Sequence, residues 1–232
     1  MKRIILSTVN LDYLDVAKAW LASMRLHGND YHVRLDFING DMNIYSRLHK
    51  IYPNLLVVHH DIPKVPDIKQ NLLNLMYTRP PQMWKALNED WDQICSMDCD
   101  TLMRGSISGL WDGVEPGTIK IRDQGTKVNP VRRYQGAVYI FGNSPEIKAY
   151  YKDVIDTIGS EFAFYAGQLA LHTMAVKHQA SIRFVPLDKK YNDNKFKKDS
   201  LIWHSKHGHI NEKPFSKYLQ TCLVEANKYY DN

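Results

Sequence analysis

Short apolar, β-branched runs alternate with amphipathic segments from the first residues of the chain. Ile4 to Val9 is one such run, and after it Asp12 is placed to cap a helix whose Ala17, Trp20, Leu21 and Met24 fall at i, i+3, i+4 and i+7. Gly28-Asn29 breaks that helix. Residues 31–38 then alternate, with Val33, Leu35 and Phe37 on one face, before Asn39-Gly40-Asp41 turns the chain. A helix over 44–51 and a short buried strand over 55–58 follow. Strands alternating with helices at this rhythm imply βαβ units and a largely parallel sheet.

The rest of the chain continues the pattern. Pro63, Pro66 and Pro80-Pro81 punctuate the segment up to about residue 81, residues 82–87 read as helix, and Gln93 to Met97 reads as a strand running into Asp98-Cys99-Asp100-Thr101-Leu102. Gly105, Gly109, Gly113 and Gly117 mark turns. Residues 118–122 and 137–141 are β-like, and Ser144-Pro145 opens a helix that Gly159 ends. Another helix over 161–177, a strand over 182–186, a lysine-rich polar stretch and a last helix from about Phe215 complete the order. With 232 residues, 44% hydrophobic and 24% charged, the chain excludes a disordered or fibrous protein and predicts one continuous core, a single α/β domain over 1–232. The expected architecture is a mixed, mostly parallel central sheet flanked by helices.

The net charge of +5 is unevenly spread. Residues 1–117 carry 12 basic and 14 acidic side chains and residues 118–232 carry 18 and 11, so the positive excess is C-terminal and suits an anionic ligand. Three cysteines, Cys95, Cys99 and Cys222, cannot close a disulfide set, and a reducing cytoplasmic setting is expected. The opening Met1-Lys2-Arg3 imitates a signal peptide's charged region, but the apolar run after it stops at Ser7-Thr8, which reads as a strand. No stretch approaches the roughly 20 apolar residues of a membrane span.

Asp98 and Asp100 stand at a strand's C-terminal end, where open α/β sheets bind ligands. Side chains at i and i+2 of a strand share a face, so the pair can be presented to one divalent cation, Mn²⁺ or Mg²⁺, that would also hold a nucleotide diphosphate. The alternative is two solvated loop carboxylates. No glycine-rich phosphate loop is present, so a bound nucleotide would have its phosphates held by a metal and by basic side chains.

With these residues in view, the sequence resembles the GT-A-fold glycosyltransferases, and among them the retaining family 8 that includes glycogenin and bacterial lipopolysaccharide galactosyltransferases. Ser7-Thr8-Val9-Asn10-Leu11-Asp12-Tyr13 is similar to the family's first-strand motif, whose Tyr stacks on the uracil of a UDP-sugar. Met97-Asp98-Cys99-Asp100-Thr101-Leu102 is similar to its metal-binding Asp-x-Asp motif. Gln135-Gly136-Ala137-Val138 resembles the segment beside the donor sugar, Asp123 resembles an acidic residue ahead of it, and Gly167-Gln168 stands in place of an Asp-Gln near the reacting carbon. Pro186 to Asn192 is similar to the family's Leu-Pro…Tyr-Asn. His204 to Phe215 resembles its His-x-x-Gly-x-x-Lys-Pro-Trp motif, in which His is the third metal ligand and Lys touches the diphosphate.

The resemblance implies a GT-A (Rossmann-like) fold and a metal-dependent transfer of sugar from a nucleotide-sugar donor, UDP-linked, to an acceptor hydroxyl with retention. It implies Asp98, Asp100 and His204 as ligands of Mn²⁺ or Mg²⁺, and Thr8, Asn10, Tyr13, Asp98, Lys206, Gly208 and Lys213 around the donor. Gln168 and Asp123 would then act near the sugar. The acceptor class stays open: glycan, lipid-linked glycan, protein or nucleic acid. The sequence departs from the family pattern at Gln135, Gly167 and Phe215, and carries one extra residue between His204 and Gly208.

Each residue also has a plainer reading. Tyr13 could be a packing residue at a helix start, Gln168 a polar residue on a helix, His204 a surface or packing imidazole, and Arg79 and Lys85 solvated charges. Two rival functions compete. A haloacid-dehalogenase-type phosphatase would use Asp98 and Asp100, but Leu102 replaces its Thr or Val and no Gly-Asp-x-x-x-Asp string follows. A nucleic-acid-binding module would use the basic stretch from Lys189 to Lys217 with Tyr191, Phe196 and Trp203 as stacking groups.

Overall fold

The structure, a computed structural model, describes residues 1–62, 79–125, 133–158, 166–205 and 210–231. Seven strands form one sheet in the order β3-β2-β1-β4-β7-β6-β8, and the described residues include the six helices named below. The strands are β1 (Arg3–Asn10), β2 (His32–Ile38), β3 (Leu55–His60), β4 (Gln93–Met97), β6 (Thr118–Asp123), β7 (Tyr134–Gly142) and β8 (Arg183–Pro186). β5 (Thr101–Met103) and β9 (Ile202–His204) make a separate two-stranded ladder. The β1–β4, β2–β3 and β6–β8 pairs are parallel and β6–β7 is antiparallel, which gives the mixed, mostly parallel sheet that the sequence rhythm implies. The helices are α1 (Leu14–Leu26), α2 (Met42–Ile51), α3 (residues 79–87), α4 (Pro145–Ile158), α5 (Ala166–Lys177) and α6 (Phe215–Tyr230).

Chain contacts divide the molecule into two compact units. The first comprises Met1–Leu6, Pro63–Ser96 and Trp111–Leu187. Its core joins Ile4, Leu6 and Ile94 of the sheet to Phe141, Tyr150, Tyr151 and Leu171. Phe141 meets Tyr151 edge-on at 5.4 Å between ring centroids, a favourable arrangement for aromatic quadrupoles. Two short-range devices set the β7–α4 corner. At Gly142 an added Cβ would stand 1.8 Å from the Glu115 carbonyl oxygen, so only glycine permits that approach. Ser144 Oγ accepts the Ile147 N–H at 3.2 Å and Pro145 begins the helix, a standard start signal read correctly from sequence. Ser144→Ala is expected to destabilise the protein by about 1 kcal/mol, measurable as a lower midpoint in denaturant with an unchanged slope.

The second unit comprises Ser7–Ile62, Met97–Leu110 and Asp188–Asn232. Here α1 buries Trp20, Leu21 and Met24 completely and packs on α6, as its i, i+3, i+4, i+7 spacing predicts. Ser23 Oγ accepts the Met103 N–H at 3.0 Å, fixing β5 to α1. Buried Asn29 does the same for the chain leaving β5, donating to Gly105 O at 3.1 Å and accepting from Ile107 N at 2.9 Å. Tyr218 of α6 donates to Met103 O at 2.7 Å.

β2 is buried on both faces: Arg34 and Asp36, which alternate with its apolar residues, are 1% and 0% exposed. They are held by an internal charge network in which His60 Nε2 lies 2.9 Å and Arg34 Nε 3.8 Å from the Asp36 carboxylate. Pro80 and Pro81 lie inside α3 instead of breaking the chain, which proline's fixed φ permits. Pro63, Pro66, Gly159 and residues 161–165 of the expected helix lie outside the described residues.

Candidate metal centre

The acidic pair is shaped by a turn and not by strand alternation. β4 ends at Met97, and Thr101 closes Asp98-Cys99-Asp100 by returning both its N–H (3.2 Å) and its hydroxyl (2.7 Å) to the Asp98 carbonyl. Threonine's hydroxyl makes this second bond, a local competition with extended structure that favours turns. The chain then enters β5, whose Thr101 is paired with His204 of antiparallel β9. The Ser205 N–H donates to the Asp100 carbonyl at 3.0 Å, so the backbones that carry both residues are joined directly.

This pairing brings His204 Nε2 to 3.8 Å from Asp98 Oδ2 and 3.8 Å from Asp100 Oδ1. One ligand atom from each of the three residues lies within 4.8 Å of the others. A cation bound at about 2.0–2.2 Å from an imidazole nitrogen and a carboxylate oxygen holds those atoms no more than about 4.4 Å apart, so 3.8 Å fits shared coordination. The side chains are 12–24% exposed. Two hard oxygens and one borderline nitrogen suit Mn²⁺ or Mg²⁺.

Other expected site residues lie in the same unit. Tyr13 ends the Leu11–Tyr13 3-10 turn after β1 with 36% of its surface exposed. Burial first, then the Asp100 carboxylate, Cys99 and Asp12, raise its phenol above the usual tyrosine value, which places its ring within the field of the acidic turn. Asn10 presents a buried Oδ1 with no hydrogen-bond partner among the described residues, whereas Thr8 is 2% exposed inside β1. Lys213 is exposed just ahead of α6. Lys206 and Gly208 lie outside the described residues.

Asp123 and Gln168 belong to the other unit. Arg133 grips the Asp123 carboxylate with Nε (3.1 and 3.3 Å) and Nη2 (3.0 Å), and the Gly125 N–H adds a bond of 2.7 Å. Burial disfavours the charge on Asp123, but Arg133, the Gly125 N–H and His172 outweigh it and hold the carboxyl below the usual Asp value. Gln168, half-buried on α5, approaches Gly136 of β7, where an added Cβ would lie 3.7 Å from Gln168 Nε2. One turn later His172 sets its ring 5.7 Å from that of Tyr134. Burial and Arg133 lower the His172 imidazole below the ordinary histidine value. Arg133 and His172 were missed from sequence; the i, i+4 spacing of Gln168 and His172 was the available signal.

The basic stretch does not offer the stacking platform that a nucleic-acid module needs. Tyr191, Phe196 and Trp203 are 5%, 9% and 4% exposed, with Phe196 packed on Trp203 and Phe215 at 5.7 and 5.3 Å. They are core residues because the loop folds inward around them. Cys95, Cys99 and Cys222 are buried free thiols, and burial pushes the Cys222 thiol up to about 11. Among the described residues no helix is long and apolar enough to cross a membrane.

No protein-family model matches the sequence, and no curated protein matches it. Solved structures do. The galactosyltransferase LgtC, determined with donor and acceptor sugar analogs, superposes with a TM-score of 0.63 at 11% identity, over 97% of this chain and 96% of LgtC. The glycosyltransferase GlyE of Streptococcus pneumoniae TIGR4 gives 0.64 at 12% identity, and the bifunctional WbbM 0.59 at 12%. All of this chain aligns with GlyE but covers 64% of it, and 98% aligns with WbbM but covers 44%. The chain thus has the fold of the GT-A glycosyltransferases, and within that fold an Asp-Asp-His group able to hold a divalent cation.

Proposed function

We propose that this chain, residues 1–232 acting as one transferase domain, is a metal-dependent glycosyltransferase that moves a sugar from a UDP-sugar to an acceptor hydroxyl with retention of configuration. The observation that carries the reading is the convergence of Asp98, Asp100 and His204 within a glycosyltransferase fold. The acidic pair and the imidazole would hold Mn²⁺ or Mg²⁺. A bound divalent ion supplies Lewis-acid stabilisation of the negative charge that develops on a departing nucleoside diphosphate.

The chain's own residues supply the rest. Tyr13 offers its ring as a platform for the base, and Asn10 Oδ1, which has no hydrogen-bond partner among the described residues, offers an acceptor to a base or ribose N–H or O–H. Thr8, being buried, supports that end of β1 from inside. Lys206, Gly208 and Lys213 are assigned to the diphosphate, where an ammonium charge is worth most as the leaving group becomes anionic. Gln168 is assigned to the sugar. Asp123, locked by Arg133, orients the groups around it more than it moves protons, because a carboxylate already satisfied by guanidinium is a weak base. The three free cysteines suit a cytoplasmic location.

A thermal-shift panel of nucleotide sugars with and without Mn²⁺ tests the reading. A ligand at a hundred times its Kd adds about 2.7 kcal/mol to the native state, which for a chain of this size raises the melting midpoint by about 5–10 °C. The increase is expected with a UDP-sugar and metal together. A full panel without any metal-dependent shift would reject it.

A further inference from the structure

His204 is carried by a strand of three residues, too short to hold its own place. Its outer edge is made by a single parallel bridge between Asp193 and Trp203, in which Asp193 N–H donates to Ile202 O at 3.1 Å and His204 N–H donates to Asp193 O at 2.9 Å. Asp193 is 6% exposed, and its carboxylate faces away from the acidic pair's chemistry into its own loop. Oδ1 accepts the Lys195 N–H at 2.9 Å, and Oδ2 accepts the Lys197 N–H at 2.7 Å and the Ser200 hydroxyl at 2.7 Å. These three bonds reverse the chain between residues 193 and 200. The reversal lets Lys197 O accept the Trp203 indole N–H at 2.8 Å and turns Phe196, at a φ of +54°, inward against Trp203.

We infer that Asp193 is a positioning residue for His204: one side chain folds the 193–200 loop, and its backbone carbonyl fixes the strand that delivers the imidazole to Asp98 and Asp100. The inference rests on the metal-centre reading above. The chemistry asks for a carboxylate. Three donors converge on two oxygens, and an asparagine at this position would present an NH₂ where an acceptor is needed, leaving either Lys195 N–H or the Lys197 N–H and Ser200 hydroxyl pair without one. The buried Ser200 hydroxyl and the part-buried N–H groups make that loss felt, because a donor away from water that loses its acceptor keeps its desolvation cost. The resulting shift would reach His204 through a single hydrogen bond.

The test uses Mn²⁺ alone on the full chain. In Asp193→Asn, Mn²⁺ is expected to bind about 10-fold more weakly, the lower end of what loss of a ligand-orienting partner costs. The nitrogen coupling of His204 in the pulsed EPR spectrum of bound Mn²⁺ is expected to fall, and His204→Ala gives the zero reference for that signal. A folded Asp193→Asn protein with wild-type affinity and undiminished coupling overturns the inference. Should Asp193→Asn fail to fold, Ser200→Ala, which removes only the hydroxyl donor, decides: a smaller weakening in the same direction supports it, and no change overturns it. If the wild-type chain binds no Mn²⁺, the metal reading itself fails. Metal-free ¹⁵N spectra of the His204 imidazole then decide the positioning role, a shifted resonance in Asp193→Asn supporting it and an unchanged one overturning it.

Discussion

Replacing Asp100 with asparagine is expected to lower metal-dependent sugar transfer by about a thousandfold while leaving the protein folded. Asp100 Oδ1 lies 3.8 Å from His204 Nε2, in a turn whose geometry comes from backbone bonds and from Thr101. Asparagine keeps the side chain's shape and those backbone bonds but removes a negative charge, so a hard divalent cation loses one of two anionic ligands. Lewis-acid stabilisation of a leaving diphosphate is worth several kcal/mol, and about 4 kcal/mol corresponds to a factor of about 10³ in rate. Initial rates of UDP-sugar hydrolysis or transfer across a Mn²⁺ titration measure this, with circular dichroism as the folding control. Turnover at wild-type rates in Asp100→Asn would remove the acidic turn from the mechanism.

The largest effect on stability is expected at Asp36→Ala. Asp36 is fully buried in β2 and its carboxylate faces His60 Nε2 at 2.9 Å and Arg34 Nε at 3.8 Å. Removing the anion takes a carboxylate away from the guanidinium of Arg34, 1% exposed, and from the His60 imidazole in a low-dielectric interior. Breaking a buried pair in this way costs about 3–5 kcal/mol, far more than an exposed ion pair. Urea unfolding monitored by tryptophan fluorescence reads the loss as a lower midpoint. Joint replacement of all three residues, Arg34, Asp36 and His60, by apolar residues of similar volume is expected to recover most of it, because the cost lies in breaking up a buried charge network one member at a time.

The same strand shows where sequence periodicity stops. Val33, Leu35 and Phe37 correctly marked one buried face, but the polar residues between them are buried as well. There Asp36 meets His60, contributed by the neighbouring strand, a contact that no pattern within β2 encodes. Elsewhere the local signals were sufficient. Ser144-Pro145 started α4, the apolar spacing in residues 17–24 fixed the buried side of α1, and the alternation of strands with helices implied the mostly parallel sheet.

At the candidate site the division is similar. Asp98 and Asp100 are legible because they are two residues apart at the end of an apolar run, and His204 because it follows Ile202-Trp203 in a recognisable motif. Their meeting was implied by the family resemblance and not by any local pattern, and the structure brings the three together. It depends on Thr101 pairing with His204, residues distant in sequence, and on a turn that replaces the expected strand geometry of the acidic pair. Asp193 gave no sequence signal beyond an ordinary loop carboxylate, since its importance comes from three donors and one strand edge that converge only after folding. Sequence alone determined the α/β class, the order of elements and the residue types able to bind a cation, because hydrophobic periodicity and side-chain chemistry are local properties. Tertiary structure alone decided by what turn and strand pairing those residues converge, which polar groups are buried, and that the aromatics of the basic stretch are core, because burial and convergence are set by contacts between segments far apart in the chain.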